Sequence, residues 1–160
     1  TIARHYSENQ ADDSTGVPAA VVKSFGEGLV GFLPFELGKQ YMNGSTPTLR
    51  KLVGSMCKRL FAEPLVEVTG SQYVDVTLSR KDEKLLVHLV NTLGPHSDAD
   101  VYVYDEVPPI GPLTVSVRLP EAPNSVSLEP GGRDLTTSYV GGVLSIAFDR
   151  LEFYDIIVIQ

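Results

Sequence analysis

From Pro64 to the C-terminus, apolar and polar residues alternate along the chain with a period of two. The alternation is clearest in residues 74–79 and 85–90, which flank the charged turn KDEK, and in residues 113–119. This period is typical of strands with one buried face. About eight such segments, separated by Gly, Pro, Asn and Asp turns, predict an antiparallel β-sandwich. Within it, the pair Gly141-Gly142 between apolar runs predicts a tight hairpin.

The first part of the chain has a different pattern. Residues 1–16 are polar, rich in turn formers and without a period, which predicts a loop. The apolar runs 17–25 and 29–34 flank the short turn GEG, and together they predict a β-hairpin. The fold class is therefore mainly β, with a β-hairpin and one α-helix ahead of the sandwich.

The helix is predicted to begin after an N-cap at Thr46, with Pro47 in its first turn, and to end at Ala62. Its apolar residues recur at the three-and-four spacing of one helical face: Leu49, Leu52, Val53, Met56, Cys57, Leu60 and Phe61. Cys57 lies on this stripe and is expected to be a buried structural thiol. Because the helical period gives way to strand alternation at Pro64, we place a domain boundary between 1–63 and 64–160.

Composition excludes several classes of function. A formal net charge of -7 argues against a nucleic-acid or anionic-membrane surface, since both require clustered Lys and Arg. No apolar run approaches the roughly 20 residues that span a bilayer. The single Cys57 excludes an intramolecular disulfide framework. It leaves the compartment open, with a cytoplasmic location slightly favoured.

The string GEGLVG, Gly26 to Gly31, has the spacing of a dinucleotide-binding loop. That fingerprint needs a helix after the glycines, so that the helix N-terminus faces the pyrophosphate. The residues that follow are strand-like and include Pro34. The string is therefore interpreted as a hairpin turn, and no cofactor is predicted.

The three histidines, His5, His88 and His96, have no recognised metal-ligand spacing. His88 is expected on the outer face of its strand, hydrogen-bonded there. His96 lies in a loop near Asp98 and Asp100, an arrangement that could bind a ligand or a metal, although a solvated loop is the favoured interpretation. A small enzyme built on His5 or His96 with nearby carboxylates is the weakest of the alternatives.

No catalytic constellation is recognisable. Glycoside cleavage needs two carboxylates flanking one sugar bond, and the acidic residues here fall in turns and at element ends. The chain contains no GxSxG elbow, and Asp12-Asp13-Ser14 lacks the ligand spacing of a calcium loop. We predict no catalytic residue and no metal site.

Tyr102 and Tyr104 share one face of a predicted strand. Exposed aromatic rings on a sandwich can stack on sugar rings, so these two residues are candidate carbohydrate-binding residues. An interdomain contact and a second core face are the alternatives.

Residues 31–61, followed by PLVEVTG and later by VPPIGPLTVSVRLP, resemble the C-terminal region of multidomain bacterial glycoside hydrolases. The middle domain of those enzymes is similar to the trimerisation domain of family 42 β-galactosidases. The resemblance covers nearly everything from Gly16 onward. It implies that residues 1–63 are the end of an amidotransferase-like α/β domain without that activity. It also implies that residues 64–160 are the closing sandwich, and that the catalytic barrel with both its carboxylates lies elsewhere.

The expected function is that of a noncatalytic accessory region that braces or oligomerises a glycoside hydrolase. The alternative is a carbohydrate-binding module that uses surface tyrosines. Expected partners are the remaining domains of the parent enzyme, a second copy of the chain, or a carbohydrate, with no nucleic acid and no membrane.

Overall fold

The chain is mainly β, and it divides into two compact units, Thr1–Glu63 and Pro64–Gln160. A computed structural model describes its backbone over most of its length and its side chains from residue 18 onward. The described ranges are 3–6, 14–44, 46–93, 106–133 and 135–160. No helix in these ranges is long and apolar enough to cross a membrane. The assignment of residues 1–63 to an α/β domain stays a prediction.

The first unit contains a three-stranded antiparallel sheet and two helices. The strands are β1 (Ala3–Tyr6), β2 (Ser14–Phe25) and β3 (Gly28–Phe32), in that order across the sheet, and the helices are α1 (Leu37–Gly44) and α2 (Pro47–Leu60). The predicted hairpin is confirmed, because β2 pairs with β3 through a turn whose Gly26 has φ of 59°. The GEGLVG string is thus part of a hairpin.

Two elements of this unit were not predicted. Strand β1 and the start of β2 lie in the stretch expected to be a loop, and α1 adds a second helix to the one expected. Strand β1 has four residues without an apolar alternation, and it pairs with β2 in an irregular register, so no local period reveals it. Helix α1 has eight residues and includes two glycines, so its apolar spacing is too short to recognise.

Helix α2 has the predicted start and nearly the predicted end. Thr46 has the extended backbone of an N-cap, although its side chain makes no capping hydrogen bond, and Pro47 occupies the first turn. Met56 is the helix residue that is buried. The prediction for Cys57 was wrong, because its thiol is exposed. The apolar stripe is wider than the surface that the sheet covers, so residues at its edge remain in solvent.

Over its described residues, the second unit has eight strands: β4 (Val66–Thr69), β5 (Val74–Lys81), β6 (Lys84–Asn91), β7 (Leu113–Arg118), β8 (Val126–Glu129), β9 (Thr136–Val140), β10 (Val143–Phe148) and β11 (Tyr154–Ile159). They form two antiparallel four-stranded sheets, with strand orders β4-β7-β10-β9 and β5-β6-β11-β8. The predicted sandwich is confirmed. Since strand neighbours are mostly distant in sequence, its order required the tertiary structure.

The core of the sandwich lies between the two sheets, as the alternation predicts. Every second residue of β6 is buried, and β7, β10 and β11 show the same alternation. The fully buried residues of this core with the largest side chains are Leu89, Leu113, Leu128, Leu144, Ile146, Leu151 and Ile157. Each buried aliphatic side chain of this kind contributes about 1.5–3 kcal/mol.

Two tight turns join sandwich strands where the sequence predicts them. The pair Gly141-Gly142 connects β9 to β10 with φ values of 58° and 84°. Asp82 and Glu83 connect β5 to β6 with φ values of 48° and 67°. The left-handed region costs an L-residue roughly 1–2 kcal/mol, so the second turn is strained where the first is not.

Glu83→Gly is expected to raise the free energy of unfolding by about 0.5–1 kcal/mol. Relief of the left-handed strain exceeds the entropy that glycine adds to the unfolded chain. Urea unfolding followed by circular dichroism measures the change. Glu121→Gly is the matched control, because Glu121 is exposed and has no positive φ, and it should lower stability. Equal effects of the two substitutions would contradict the prediction.

Candidate functional site

Buried polar side chains of the sandwich are candidates for function, because burying a polar group without a hydrogen-bond partner lowers the stability of the fold. Among the residues described, Asn91 and Asp155 are the polar or charged side chains that are buried, at 3% and 4% exposure. Both point inward, on β6 and β11. The other polar cluster of this sheet, which is centred on His88, lies on its outer face.

Asn91 joins three segments of backbone. Its Nδ2 donates to the carbonyl oxygens of Pro108 and Glu152, each at 2.8 Å, and its Oδ1 accepts from the backbone N–H of Leu93 at 2.9 Å. Both amide hydrogens and the amide oxygen are therefore engaged. This amide is a structural clamp with no donor left for a ligand.

Asp155 forms an ion pair with Arg133, which follows the turn after β8. The carboxylate Oδ2 contacts the guanidinium as an ion pair and makes no hydrogen bond with any group in the described ranges. Arg133 also donates from Nη1 to the carbonyl oxygen of Arg150 at 2.8 Å. The pair fastens the segment after β8 to β11, and it gives the buried carboxylate of Asp155 a structural role.

His88 lies on the outer face of its sheet and is hydrogen-bonded there, as predicted. Its Nε2 is 2.7 Å from the hydroxyl of Ser79 on β5, and its Nδ1 is 2.6 Å from the hydroxyl of Tyr154 on β11. The rings of His88 and Tyr154 are stacked, with centroids 6.0 Å apart. A neutral imidazole donates through one nitrogen and accepts through the other, so one chain of hydrogen bonds crosses three strands.

A serine beside a histidine raises the question of nucleophilic catalysis. Such a pair needs a third group that orients the histidine, and donors for the developing oxyanion. Here Tyr154 takes the orienting position with a neutral hydroxyl, and Ser79 lies in the middle of a regular strand. The cluster therefore acts as a cross-strand polar contact. On the same face, the exposed and polar Thr77 is paired with His88 on β5. The half-buried apolar neighbours on this face are Leu86, Val90, Ile156 and Val158.

A groove of about 380 Å³ opens at one end of the sandwich. Polar side chains line it, among them Arg80, Glu83 and Asn124, beside the apolar Leu85 and Ile159. These groups could hydrogen-bond sugar hydroxyls. The lining contains no aromatic ring, so it lacks the stacking surface typical of carbohydrate sites.

The residues singled out for sugar binding, Tyr102 and Tyr104, lie outside the described residues, as does His96. Their roles stay predictions. His5 belongs to β1, and its side chain is likewise not described. No group of three or more His, Cys, Asp or Glu side chains that could hold a metal occurs in the described ranges.

Sequence reasoning overlooked Asn91 and Asp155, although a signal for both was present. Asn91 lies two residues after the buried Leu89, and Asp155 two residues before the buried Ile157. Both therefore lie on the face of their strand that packs into the core. A polar residue on the strand face that is otherwise apolar marks either the end of the strand or a buried polar contact. Applied to the whole chain, that rule would have found both residues.

The sequence matches no protein-family model, and no curated protein is significantly similar to it. Among solved structures, the chain is similar to α-L-fucosidase isoenzyme 2 from Paenibacillus thiaminolyticus, with a TM-score of 0.73 and 18% sequence identity. The similarity covers 98% of this chain and 24% of that one, so the chain spans about a quarter of its structural neighbour. The chain thus has the fold of part of a glycoside hydrolase.

Proposed function

We propose that this chain is a noncatalytic accessory region of a longer glycoside hydrolase and that it braces the domains that carry the active site. The observation that carries the proposal is the fold similarity, which spans nearly all of this chain but only 24% of a fucosidase. A region of that size leaves ample chain for a separate catalytic domain. The resemblance of residues 31–61 to multidomain glycoside hydrolases supports the same reading.

The polar clusters of the sandwich are consistent with a bracing role. Asn91 and Asp155 are engaged within the fold, and both ring nitrogens of His88 are hydrogen-bonded. None of these groups is free to act on a substrate. Polar side chains that are bound to partners inside the sandwich suit a bracing role, because such a domain serves to hold other domains in place.

The test compares hydrolysis of a panel of nitrophenyl glycosides by this 160-residue chain and by the full-length product of its gene. We expect hydrolysis by the full-length product alone. His88→Ala and Ser79→Ala in that product should leave kcat within about two-fold, because removing a true nucleophile or base costs orders of magnitude. Hydrolysis by the 160-residue chain, or its loss in either variant, would overturn the accessory function.

Oligomerisation of the parent enzyme is a separate part of the same proposal. Light scattering of the full-length product, with and without residues 64–160, measures it. A lower subunit number in the truncated product is the expected result. The same subunit number in both would remove the oligomer role and leave bracing in place.

A further inference from the structure

The first unit has very little core of its own. Its buried apolar side chains, counted over residues 18–44 and 46–63, are Ala19, Ala20 and Met56. Many of its large apolar side chains are exposed: Phe25, Leu29, Val30, Phe32, Met42, Leu60 and Phe61. Ordering a residue costs roughly 1–2 kcal/mol of backbone entropy, and three small or flexible buried side chains offset little of that cost.

Helix α2 covers part of one face of the sheet. A Cβ added at Gly31 would lie 2.8 Å from the Met56 sulfur and 2.9 Å from Leu60 Cδ1, so α2 packs directly on β3 there. Val22 is paired with Gly31 and shares this face, whereas Leu29 on the same face is 48% exposed. The helix therefore covers this face around Gly31 and leaves its end near Leu29 in solvent.

The opposite face is apolar and open. Val21 pairs with Phe32 and Lys23 pairs with Val30, and Phe25 follows on the same side of β2. These five residues, here called the open hairpin face, line a concavity of about 580 Å³. Phe25, Phe32 and Val30 are 79%, 61% and 52% exposed, so three large apolar side chains adjoin one another in solvent.

We propose that the open hairpin face is covered by an apolar surface of another domain of the same longer polypeptide, with an acidic side chain opposite Lys23. The inference rests on the proposed function, which places this chain in such a polypeptide. The expected occupant is an apolar surface, because three large apolar side chains adjoin one another in solvent on this face. The exposed ammonium group of Lys23 among them calls for an acidic side chain on that surface.

The charge on this face argues against a second copy of the chain as the occupant. Lys23 lies among Val21, Phe25 and Val30 at the centre of the face. A two-fold interface brings the same patch of both copies together, so the two ammonium groups would approach each other in an apolar contact. Burying like charges without a counter-charge is strongly unfavourable. A different domain can supply an acidic residue, whereas the identical face cannot.

The test measures amide hydrogen exchange of β2 and β3 in the 160-residue chain and in the full-length gene product. We expect these amides to exchange at least ten-fold more slowly in the full-length product. Val30→Asp in that product should return them to fast exchange. Val140→Asp is the matched control, because Val140 is 76% exposed on strand β9 of the sandwich, and it should leave the exchange unchanged. Equal exchange in the two proteins would overturn the proposal.

Two further readouts identify the occupant. Lys23→Glu should accelerate exchange of β2 and β3 in the full-length product, since it would place two acidic side chains together. Sedimentation of the 160-residue chain should show the same mass before and after Val30→Asp; a dimer lost in that variant would overturn the proposal in favour of a second copy. The amides of β2 and β3 could exchange more slowly in the full-length product while that product hydrolyses no glycoside. That result would overturn the proposed function and leave the covered hairpin face in place.

Discussion

Replacing Asn91 with aspartate is expected to lower the free energy of unfolding of the sandwich by about 3–5 kcal/mol, a large fraction of the stability of an ordinary domain. The substitution keeps the shape of the side chain, so the change in the free energy of unfolding contains no contribution from a cavity. It replaces the Nδ2 donor with a carboxylate oxygen that faces the carbonyl oxygens of Pro108 and Glu152. At 3% exposure, solvent cannot compensate the resulting charge.

Asn124→Asp is the matched control for that experiment. Asn124 belongs to the same unit but is exposed, so the same change in chemistry should alter stability by no more than about 0.5 kcal/mol. Urea unfolding of the wild type and both variants gives the comparison. If Asn91→Asp were as mild as Asn124→Asp, the amide would not be the clamp that its three hydrogen bonds indicate.

Gly111→Ala is expected to cost about 3 kcal/mol of stability, because two separate penalties fall on one residue. Gly111 has a φ of 151°, which L-residues rarely adopt, and an added Cβ would collide with the backbone carbonyl of Asp149. Relief of that collision must move the adjacent bridge. There, Ile110 and Leu151 exchange backbone hydrogen bonds of 3.0 and 2.8 Å.

Gly132→Ala separates the two penalties. Gly132 has a positive φ of 56°, but an added Cβ would meet no atom within 4 Å. Its expected cost is therefore the conformational strain alone, about 1 kcal/mol. Thermal unfolding of both variants tests the difference. Similar melting temperatures for the two variants would contradict the prediction. They would mean that the backbone near Gly111 moves to accept a Cβ at little cost in stability.

The elements that depend on local pattern were largely predictable. The strands of the sandwich, its two tight hairpins and helix α2 each follow from a period, a turn or a cap that neighbouring residues supply. Strand β1 was missed because its four residues show no apolar alternation and its pairing with β2 is irregular. The exposure of Cys57 was missed because helical spacing defines an apolar stripe but not how much of it a partner covers.

The candidate sites were likewise predictable only where they depend on local pattern. The outward position of His88 follows from alternation, yet its partners are 9 and 66 residues away, so no local rule could name Ser79 or Tyr154. The ion pair of Asp155 with Arg133 likewise joins residues from different elements. Such contacts depend on strand order, which is decided by how whole sheets pack.

By itself, the sequence determined that this protein has a sandwich with one apolar face on each strand, because burial at period two is a local property of an extended chain. It also determined the hairpin and α2 that precede the sandwich. Only the tertiary structure decided which strands are neighbours, which polar groups are buried together, and which face of the first unit's sheet is left open. These features come from non-local pairing, whose free energy depends on segments that the chain brings together only when it folds.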